Sequence, residues 1–495
     1  MEHPLQVEEY LPGAEPPVRA EALDLEPPRP AAAEAAPAAP LPPPPDLPAS
    51  DVLYLRPGDP EYAAYLPATN KRTQLSPSLR AVCKTERAAS VMVDWVRANN
   101  LNFAVRCGGH SYEGFSQSTA VVIDVRGLSK IAVDKTAGSV TLGSGASLFS
   151  IYQALAAEGL AIPAGSCPTV GISGHLTGGG FGLLGRAYGL TCDHLRQVTL
   201  VDSQARPLQA SATSNPDLFW ACRGGGGGSF GVATEFVLSA IPLRSAVVFG
   251  VSWALPQSAA ARVFQAWQSW APNAPKEMTS IMKIGPAGNG RIAMRCIGQS
   301  IGSESEVRNQ LRTLVQVEPP SKPLTVQTLA FLDAVRHFAG PLVFESVFMK
   351  AKSDYVVSAL NSPGIGDMLS AVAAIPAGGI ALLCDAYGGA VAEVDVAATA
   401  FPHRHGSQYC IQYYASWSNA AETPAHLAQV AGVYNAMRPY MVGSSYVNYC
   451  DLDLRNWASA YWGPNLDRLM AVKRQYDPAN LFRHAQSVPP GPPIA

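Results

Sequence analysis

Charged residues are scarce in this chain, and the usual signals of several protein classes are missing. Only 15% of the 495 residues are charged, and 36 basic residues nearly balance 38 acidic ones. This leaves no basic stripe for nucleic acid and no like-charge run for a membrane surface. The nine cysteines form no CxxC pair and no ligand-like spacing with histidines, so neither a metal site nor a disulfide framework is expected.

The chain also lacks transport signals. Its N-terminus, MEHPLQVEEYLPGAEPP, has neither the basic nor the apolar region of a secretory signal, and no apolar stretch reaches transmembrane length. We therefore expect a soluble, cytoplasmic protein. Residues 1–50 are rich in proline and alanine and predict a disordered tail without a core.

The rest of the chain divides into two parts that differ in the length and order of their predicted strands and helices. Between Asp51 and about Ile241, short β-branched runs alternate with helical patterns, as in a helix predicted over 84–100 and strands over 101–107 and 120–125. Residues 147–160 predict a helix that ends at a glycine. From 242 to 444 the strand-like segments are longer (246–255, 290–299, 379–389 and 409–417), which predicts an antiparallel sheet with helices. The last helix is predicted within 466–482.

Three glycine-rich segments carry the chemistry. RCGGHSYEG (106–114) follows a strand, and paired glycines allow close approach of a ligand, although a tight turn with a surface histidine explains the pattern equally well. PAGSCPTVGISGHLTGGGFGLLGRAYG (163–189) is typical of a ligand wall, or of a buried cysteine among packing glycines. LFWACRGGGGGSFGVAT (218–234) predicts a second wall. GGGFG is not GxGxxG in a βαβ setting, so a Rossmann site is weakly supported.

In this order and spacing, the segments resemble the FAD-binding half of the berberine-bridge-enzyme-like oxidases, within the vanillyl-alcohol-oxidase, or PCMH-type, flavoproteins. FPHR (401–404), YVNYCDLDL (446–454), YWGPNLDRL (461–469) and YDPANLF (476–482) extend the resemblance over roughly 51–490. It implies an α+β protein. A PCMH-type FAD domain of two α/β subdomains would span 51–241, and a substrate domain with a helix-covered antiparallel sheet would span 242–444. Residues 445–495 would return to the FAD domain.

The resemblance implies FAD attached by two covalent bonds, from His110 to the flavin 8α carbon and from Cys167 to C6. Imidazole nitrogen and thiolate are suitable nucleophiles for these electrophilic carbons. His175 would lie near the ribityl and pyrimidine side, unless it is a core histidine. The other implied FAD-binding positions are Arg106, Cys107, Gly108, Gly109, Ser111, Val170, Gly171, Gly174, Gly178, Gly179, Gly180 and Asn448, whose glycines, apart from Gly171, would leave room for the pyrophosphate and isoalloxazine.

The resemblance also implies catalytic roles. Tyr449 would take the proton of a substrate hydroxyl, and Asp385 would accept the proton of that phenol, since a neutral phenol is a weak base at pH 7. Tyr446 is the alternative phenol, and Tyr449 would then be a wall residue. Implied substrate-pocket positions are Tyr112, Gln412, Phe181 and Tyr446. Alkaloid-oxidising members use a glutamate near the position of Gln412 that this chain lacks, which argues against berberine-bridge chemistry itself.

Val170 falls at the family's oxygen-gate position, three residues after Cys167. A small side chain there leaves space for O2, whereas a bulkier one accompanies dehydrogenase behaviour. The expected function is therefore an FAD oxidase that acts on the CH–OH group of a sugar-like or secondary-metabolite alcohol and releases H2O2. Its partners would be a small-molecule substrate and O2. The alternatives are a flavin dehydrogenase with another acceptor and a non-catalytic flavin-binding protein.

Overall fold

The computed structural model describes residues 41–340 and 342–491. The first forty residues of the predicted tail lie outside this range. Residues 41–50, expected in the same tail, instead pack against the folded part: the Trp95 indole donates to the Pro43 carbonyl (3.0 Å) and the Tyr54 hydroxyl to the Pro45 carbonyl (2.8 Å). The proline-rich composition hid this contact because its partners lie on later strands and helices.

The described residues up to Ser239 form ten strands and six helices. The strands are β1 (Val52–Leu55), β2 (Leu79–Cys83), β3 (Phe103–Arg106), β4 (Val121–Asp124), β5 (Ile131–Asp134), β6 (Ser139–Gly143), β7 (Leu160–Ala161), β8 (Leu195–Val201), β9 (Pro207–Ser211) and β10 (Val232–Ser239). The helices are α1 (Tyr62–Tyr65), α2 (Glu86–Ala98), α3 (Leu148–Ala157), α4 (Ile172–Thr177), α5 (Gly185–Tyr188) and α6 (Pro216–Ala221).

Two sheets organise this N-terminal part. The first has the order β1-β2-β4-β3, and its β2–β4 and β4–β3 pairs are parallel, as alternating strands and helices predict. The second has the order β5-β6-β10-β8-β9 and is antiparallel. The Thr85 side chain caps α2 by accepting from the Ala88 N–H (3.2 Å), and α2 buries its apolar face beside the first sheet.

The next part begins with β11 (Ile241–Pro242), which pairs with β7, and contains one large sheet. Its strands are β12 (Ser245–Leu255), β13 (Met278–Gly288), β14 (Arg291–Ser300), β15 (Lys322–Ala330), β16 (Phe348–Val356), β17 (Ala381–Ala386) and β18 (Tyr409–Trp417). Its helices are α7 (Gln257–Trp270), α8 (Glu304–Val315), α9 (Phe331–Ala339), α10 (Ser362–Ala373), α11 (Ala390–Glu393) and α12 (Thr423–Met437). The sheet order is β15-β12-β14-β13-β17-β18-β16, antiparallel throughout.

The two faces of this seven-stranded sheet have different partners. Helices α7, α10 and α12 cover one face, where Trp267, Leu369 and Val430 belong to the largest apolar core of the described chain. The other face, called the front face below, carries Gln412, which bonds to Tyr112 of the N-terminal part. The expected α+β architecture with a helix-covered antiparallel sheet is therefore present.

The chain ends with α13 (Trp457–Trp462) and α14 (Leu466–Tyr476), which pack against the third glycine-rich segment. The Lys473 ammonium donates to the Ser229 carbonyl (2.6 Å), and the Trp462 indole donates to the Gly224 carbonyl (3.2 Å). Short 3-10 turns lie at Lys71–Thr73, Val125–Gly127, Thr191–His194, Ala271–Asn273, Ala420–Glu422, Arg438–Tyr440, Val447–Tyr449 and Gly463–Asn465. Within the described ranges, no helix combines the length and apolar character needed to cross a membrane.

Candidate active site

One large cavity of about 870 Å³ lies where the three glycine-rich segments meet the front face of the seven-stranded sheet. This volume is within the range of roughly 300–1,000 Å³ that proteins use for cofactors and ligands. The segment 225–229 forms one wall, as the third glycine-rich segment predicts. The predicted site residues that line the cavity are Cys107, Gly108, Gly109, His110, Ser111, Tyr112, Cys167, Val170, Gly171, Gly174, His175, Tyr446, Asn448 and Tyr449.

His110 stands at this cavity with a neutral ring. Its Nε2 lies 3.0 Å from the Thr169 hydroxyl, and its ring meets Phe344 edge to face at 5.3 Å. Burial, together with the nearby Arg106 guanidinium, lowers the pKa of His110 to about 4. A neutral imidazole keeps a nitrogen lone pair, which a nucleophile needs.

Cys167 lies on the loop that faces His110. Thr169, the hydrogen-bond partner of His110, is two residues further along this loop, and the Val170 N–H donates to the Cys167 carbonyl (3.4 Å). A Cys167 thiolate would raise the pKa of both Tyr112 and Tyr414, in each case after the larger effect of burial, and all three residues line the cavity. Both predicted attachment residues therefore border the same cavity.

The cavity wall suits a flavin dinucleotide. Gly174 has no heavy atom within 4 Å of the position a Cβ would take, so it faces open space. Among the hydrogen bonds between described residues, none uses the backbone N–H of Gly109, His110 or Ser111 as donor. Gly109 has φ +75°, and consecutive N–H groups at such a turn form an anion-binding concavity. These residues could hold a pyrophosphate.

Several predicted cofactor positions lie away from the cavity wall. Gly178, Gly179 and Gly180 were expected to leave room for the flavin, but a Cβ at these positions would meet the Asn448 side chain, the Phe401 ring and the His175 ring, respectively. Their glycine character is required by protein packing. The sequence does not distinguish glycines that face the cavity from glycines that protein packing requires, because both lie in one glycine-rich segment.

Arg106 and Phe181 also do not line the cavity. Arg106 is buried beneath Gly109 and donates to the Pro67 carbonyl, and its pKa falls to about 9 through burial and through the neighbouring arginines 126 and 80. Phe181 is fully buried and stacks on Tyr387 at 4.6 Å. Phe181 is not among the residues that line the cavity, and its contact with substrate stays a prediction.

His175 is a neutral histidine at the wall. Its Nε2 accepts from the Gly165 N–H (3.1 Å) and lies 3.2 Å from the Thr191 hydroxyl, and burial lowers its pKa to about 4. The sequence allowed His175 to be either a core histidine or a residue near the cofactor. The structure is compatible with both, because protein groups hold the ring and the ring still borders the cavity.

Three tyrosines gather at the other end of the cavity. Tyr112 and Tyr449 stack with centroids 5.6 Å apart and planes 5° apart, and Tyr446 meets Tyr449 edge to face at 5.0 Å. The Tyr446 hydroxyl accepts from the Asn448 amide (2.9 Å) and from the Gly180 N–H (3.2 Å). These two donors fix the position of the Tyr446 hydroxyl, one of the two predicted candidate phenols.

Gln412 and Asp385 stand on the front face behind these tyrosines. The Gln412 amide donates to the Tyr112 hydroxyl (3.0 Å), and both Gln412 and Asp385 are buried from solvent. Asp385 pairs with Cys410 across β17 and β18, and Gln412 is two residues further on β18. Residues two apart on a strand share a face, so Asp385 and Gln412 are diagonal neighbours.

Sequence reasoning missed other cavity residues. Tyr414 and Ser416 continue the alternation that begins at Gln412, and both line the cavity. The period-2 pattern of strand 409–417 could have identified them. His484, which stacks on Phe115 at 4.3 Å, also lines the cavity, but no local motif marks it. In the part of the chain that the structure describes, no group of three His, Cys, Asp or Glu side chains is arranged to hold a metal ion.

Comparisons with known proteins agree with this geometry. A family model described as FAD binding domain matches residues 77–211, and one described as berberine and berberine like matches 445–489. The uncharacterized FAD-linked oxidoreductase YgaK of Bacillus subtilis (strain 168) is 32% identical over 437 residues, 87% of this chain and 95% of that protein. The structure of Physcomitrella patens BBE-like 1 has a TM-score of 0.83 at 30% identity, covering 89% of this chain and 97% of that one. A Phl p 4 variant described as a glucose oxidase has a TM-score of 0.80 at 27% identity, covering 90% and 97%.

Proposed function

The chain belongs to the berberine-bridge-enzyme-like family of FAD-linked oxidoreductases, and from this premise we propose that it is a bicovalent FAD oxidase of small-molecule alcohols. It would transfer hydride from a CH–OH group to flavin and reduce O2 to H2O2. The observation that carries this proposal is the single cavity that His110, Cys167 and the stacked pair Tyr112–Tyr449 all line.

FAD, when bound, would supply the electrophilic carbons for both bonds and the acceptor for hydride. On the protein side, His110 is prepared for attachment by its low pKa, which leaves the ring neutral at pH 7. Cys167 lies on the facing loop and would react as a thiolate. The uncommitted N–H groups of 109–111 would bind the pyrophosphate.

Tyr449 would take the proton of the substrate hydroxyl, and Asp385 would accept the proton that Tyr449 gives up. The Tyr112–Tyr449 stack and the Gln412–Tyr112 hydrogen bond connect the cavity to the strand face that carries Asp385. Replacing Tyr449 by Phe is expected to lower kcat by at least about 100-fold. Tyr446→Phe is the matched control, and a large loss in Tyr446→Phe with none in Tyr449→Phe would reverse the assignment.

Two observations support an alcohol as the hydride donor and O2 as the electron acceptor of the proposed reaction. The Phl p 4 variant, whose fold this chain shares, is described as a glucose oxidase, so an alcohol donor is within the reach of this fold. Val170 lines the cavity and presents a small side chain there. A panel of sugars and aromatic alcohols, assayed in air for H2O2, would identify the donor. Turnover of a dye acceptor without H2O2 would instead establish a dehydrogenase.

The two bonds are tested by the mass of the acid-denatured chain. The native chain should carry the mass of one FAD, and His110→Ala and Cys167→Ala should each retain it through the remaining bond. The double variant should carry none while still folding. An unmodified mass for the native chain would refute the bicovalent proposal, even if the protein binds FAD reversibly.

A further inference from the structure

Lys283 is a charged residue that the proposed mechanism does not use. It lies on β13, two residues after Ile281, which is the direct cross-strand partner of Asp385 on β17. Because residues two apart on a strand share a face, Lys283 and Asp385 are diagonal neighbours on the front face. Such neighbours have Cα atoms roughly 7–8 Å apart, a distance that a lysine side chain spans.

The surroundings of Lys283 are apolar with few charges. Leu383 of β17 stands opposite on one side, and Arg295 of β14 stands opposite on the other. Beyond Arg295 lies His337 of α9, whose pKa is lowered by burial and then by the Arg295 charge. Burial and Arg295 lower the pKa of Lys283 to about 8, and the charge of Asp385 opposes them. Asp385 is thus the carboxylate that interacts with Lys283.

Asp385 is in turn a carboxyl group that needs such a cation. It has no exposure to solvent, and the residues directly opposite it are Ile281 and Cys410. Its charge also raises the pKa of the neighbouring Cys384 thiol, after the larger effect of burial. A buried carboxylate without a nearby cation takes up a proton instead of remaining ionised. A protonated Asp385 could not accept a proton from Tyr449.

We propose that Lys283 is a positioning residue that keeps Asp385 ionised, so that Asp385 can accept the Tyr449 proton as Tyr449 takes the proton of the substrate hydroxyl. The proposal rests on the proposed function for the use of that carboxylate. Lys283 contacts neither cofactor nor substrate in this scheme, because it does not border the cavity.

The first test measures the protonation of Asp385 without substrate. Infrared spectra of the FAD-loaded protein should lack a protonated-carboxyl band from Asp385 at pH 7. Lys283→Met should gain that band, and Lys283→Met/Asp385→Asn should lose it again. Lys283→Arg, which keeps the charge, should resemble the native protein. No new band in a folded Lys283→Met protein would overturn the proposal.

The second test uses the pH dependence of kcat/KM for an alcohol found in the peroxide screen. Removing a cation raises the pKa of a nearby carboxyl, so Lys283→Met should move the acid limb to higher pH. A shift of one unit lowers kcat/KM about ten-fold at pH values below the native limb. Lys283→Arg, which keeps the charge, should leave the acid limb at its native position.

Arg295→Met is the matched control, because Arg295 is the other cation on this part of the face. Its removal should raise the pKa of Lys283, so that Lys283 keeps its charge and the acid limb stays in place. An acid limb that stays in place in Lys283→Met would overturn the proposal. Full activity in Asp385→Asn would refute the role of Asp385 in the proposed function, whereas the infrared result would still report on Lys283.

Discussion

At the scale of single residues, the glycines of this site serve two purposes that one sequence cannot separate. Gly174 faces open space at the cavity wall, whereas Gly180 has φ +72° and would place a Cβ 2.8 Å from the His175 ring. Both lie in the same segment, and both were expected to leave room for the cofactor. Only the conformation and the neighbours of each glycine decide which group it accommodates.

Substituting these two glycines should therefore give opposite results. Gly174→Ala adds a methyl group in the cavity and favours helix α4, so we expect unchanged or slightly higher stability together with lower FAD content. Gly180→Ala should lose at least about 1 kcal/mol of stability because of its backbone conformation and the contact with His175. Thermal unfolding and the flavin-to-protein absorbance ratio measure both effects. Equal FAD content in native and Gly174→Ala protein would contradict the first expectation.

The positions of several predicted site residues at one cavity agree with their motifs, which are local in the sequence. His110, Cys167 and Tyr449 were identified from short segments, and all three line one cavity. The burial of Phe181 against Tyr387 was not readable from its motif, because Tyr387 lies about two hundred residues later in the chain. Lys283 was not identified, since its significance depends on a strand partner about one hundred residues later in the chain.

At the scale of single elements, β16 shows why a buried strand can be overlooked. Its sequence FMKAKSDYV contains two lysines and an aspartate, which is unusual for a strand whose residues are almost all buried. Lys350 lies 2.5 Å from Glu113 and 2.6 Å from Asp451. These carboxylates come from the glycine-rich turn of His110 and from the C-terminal segment. Carboxylates from distant parts of the sequence neutralise the buried lysines of this strand. The sequence of the strand itself therefore gives no sign that it is buried.

Lys350 should be more important than its neighbour Lys352 for this reason. Lys350 connects Glu113, next to Tyr112, with Asp451, two residues after Tyr449. Lys352 instead binds Asp451 and the largely exposed Asp453 and lies over the Tyr434 ring, without reaching Glu113. Removing one partner of a buried ion pair costs about 3–5 kcal/mol. We expect Lys350→Met to lose stability in that range and to lower kcat by disturbing the tyrosine stack.

Lys352→Met is the matched control, being equally buried and two residues away on the same strand. Its loss of stability should be smaller, and its kcat should stay near the native value. Urea unfolding gives the stability, and initial rates with a saturating alcohol give kcat. Equal losses in the two variants would show that the ion network does not act on the tyrosine stack.

At the scale of the whole molecule, the folded part begins earlier than the sequence indicates. The Leu41 and Leu47 side chains pack against the core of the first sheet, and the Lys84 ammonium donates to the Ala49 carbonyl (2.8 Å). A chain that starts at residue 49 should therefore have a lower Tm than one that starts at residue 41. A loss of about 1–2 kcal/mol, equivalent to a few degrees, is expected from the apolar contacts and hydrogen bonds removed. Identical Tm values would contradict a stabilising role for residues 41–48.

The pH response of the molecule depends on the burial of its histidines, which composition does not show. Burial lowers the pKa of His175 and His484 to about 4 and that of His403 to about 3. The native state therefore binds fewer protons than the unfolded chain between about pH 4 and 6.5. Stability then rises with pH across this interval and is lost as the pH falls.

The three histidines together should contribute at most about 4 kcal/mol per pH unit in this interval, since one unit of pKa corresponds to about 1.4 kcal/mol per group. Paired carboxylates act in a lower window. Against the partial burial of Asp453, Lys350 and Lys352 lower its pKa to about 2, so its contribution is lost only below about pH 4. Urea unfolding from about pH 8 to about pH 3 should show stability falling first below about pH 6.5. His175→Gln, which preserves an acceptor for the Gly165 N–H, should reduce the slope between pH 6.5 and 4 and leave the part below pH 4 unchanged. A native protein whose stability is constant from pH 7 to 5 would show that these histidines become protonated without unfolding.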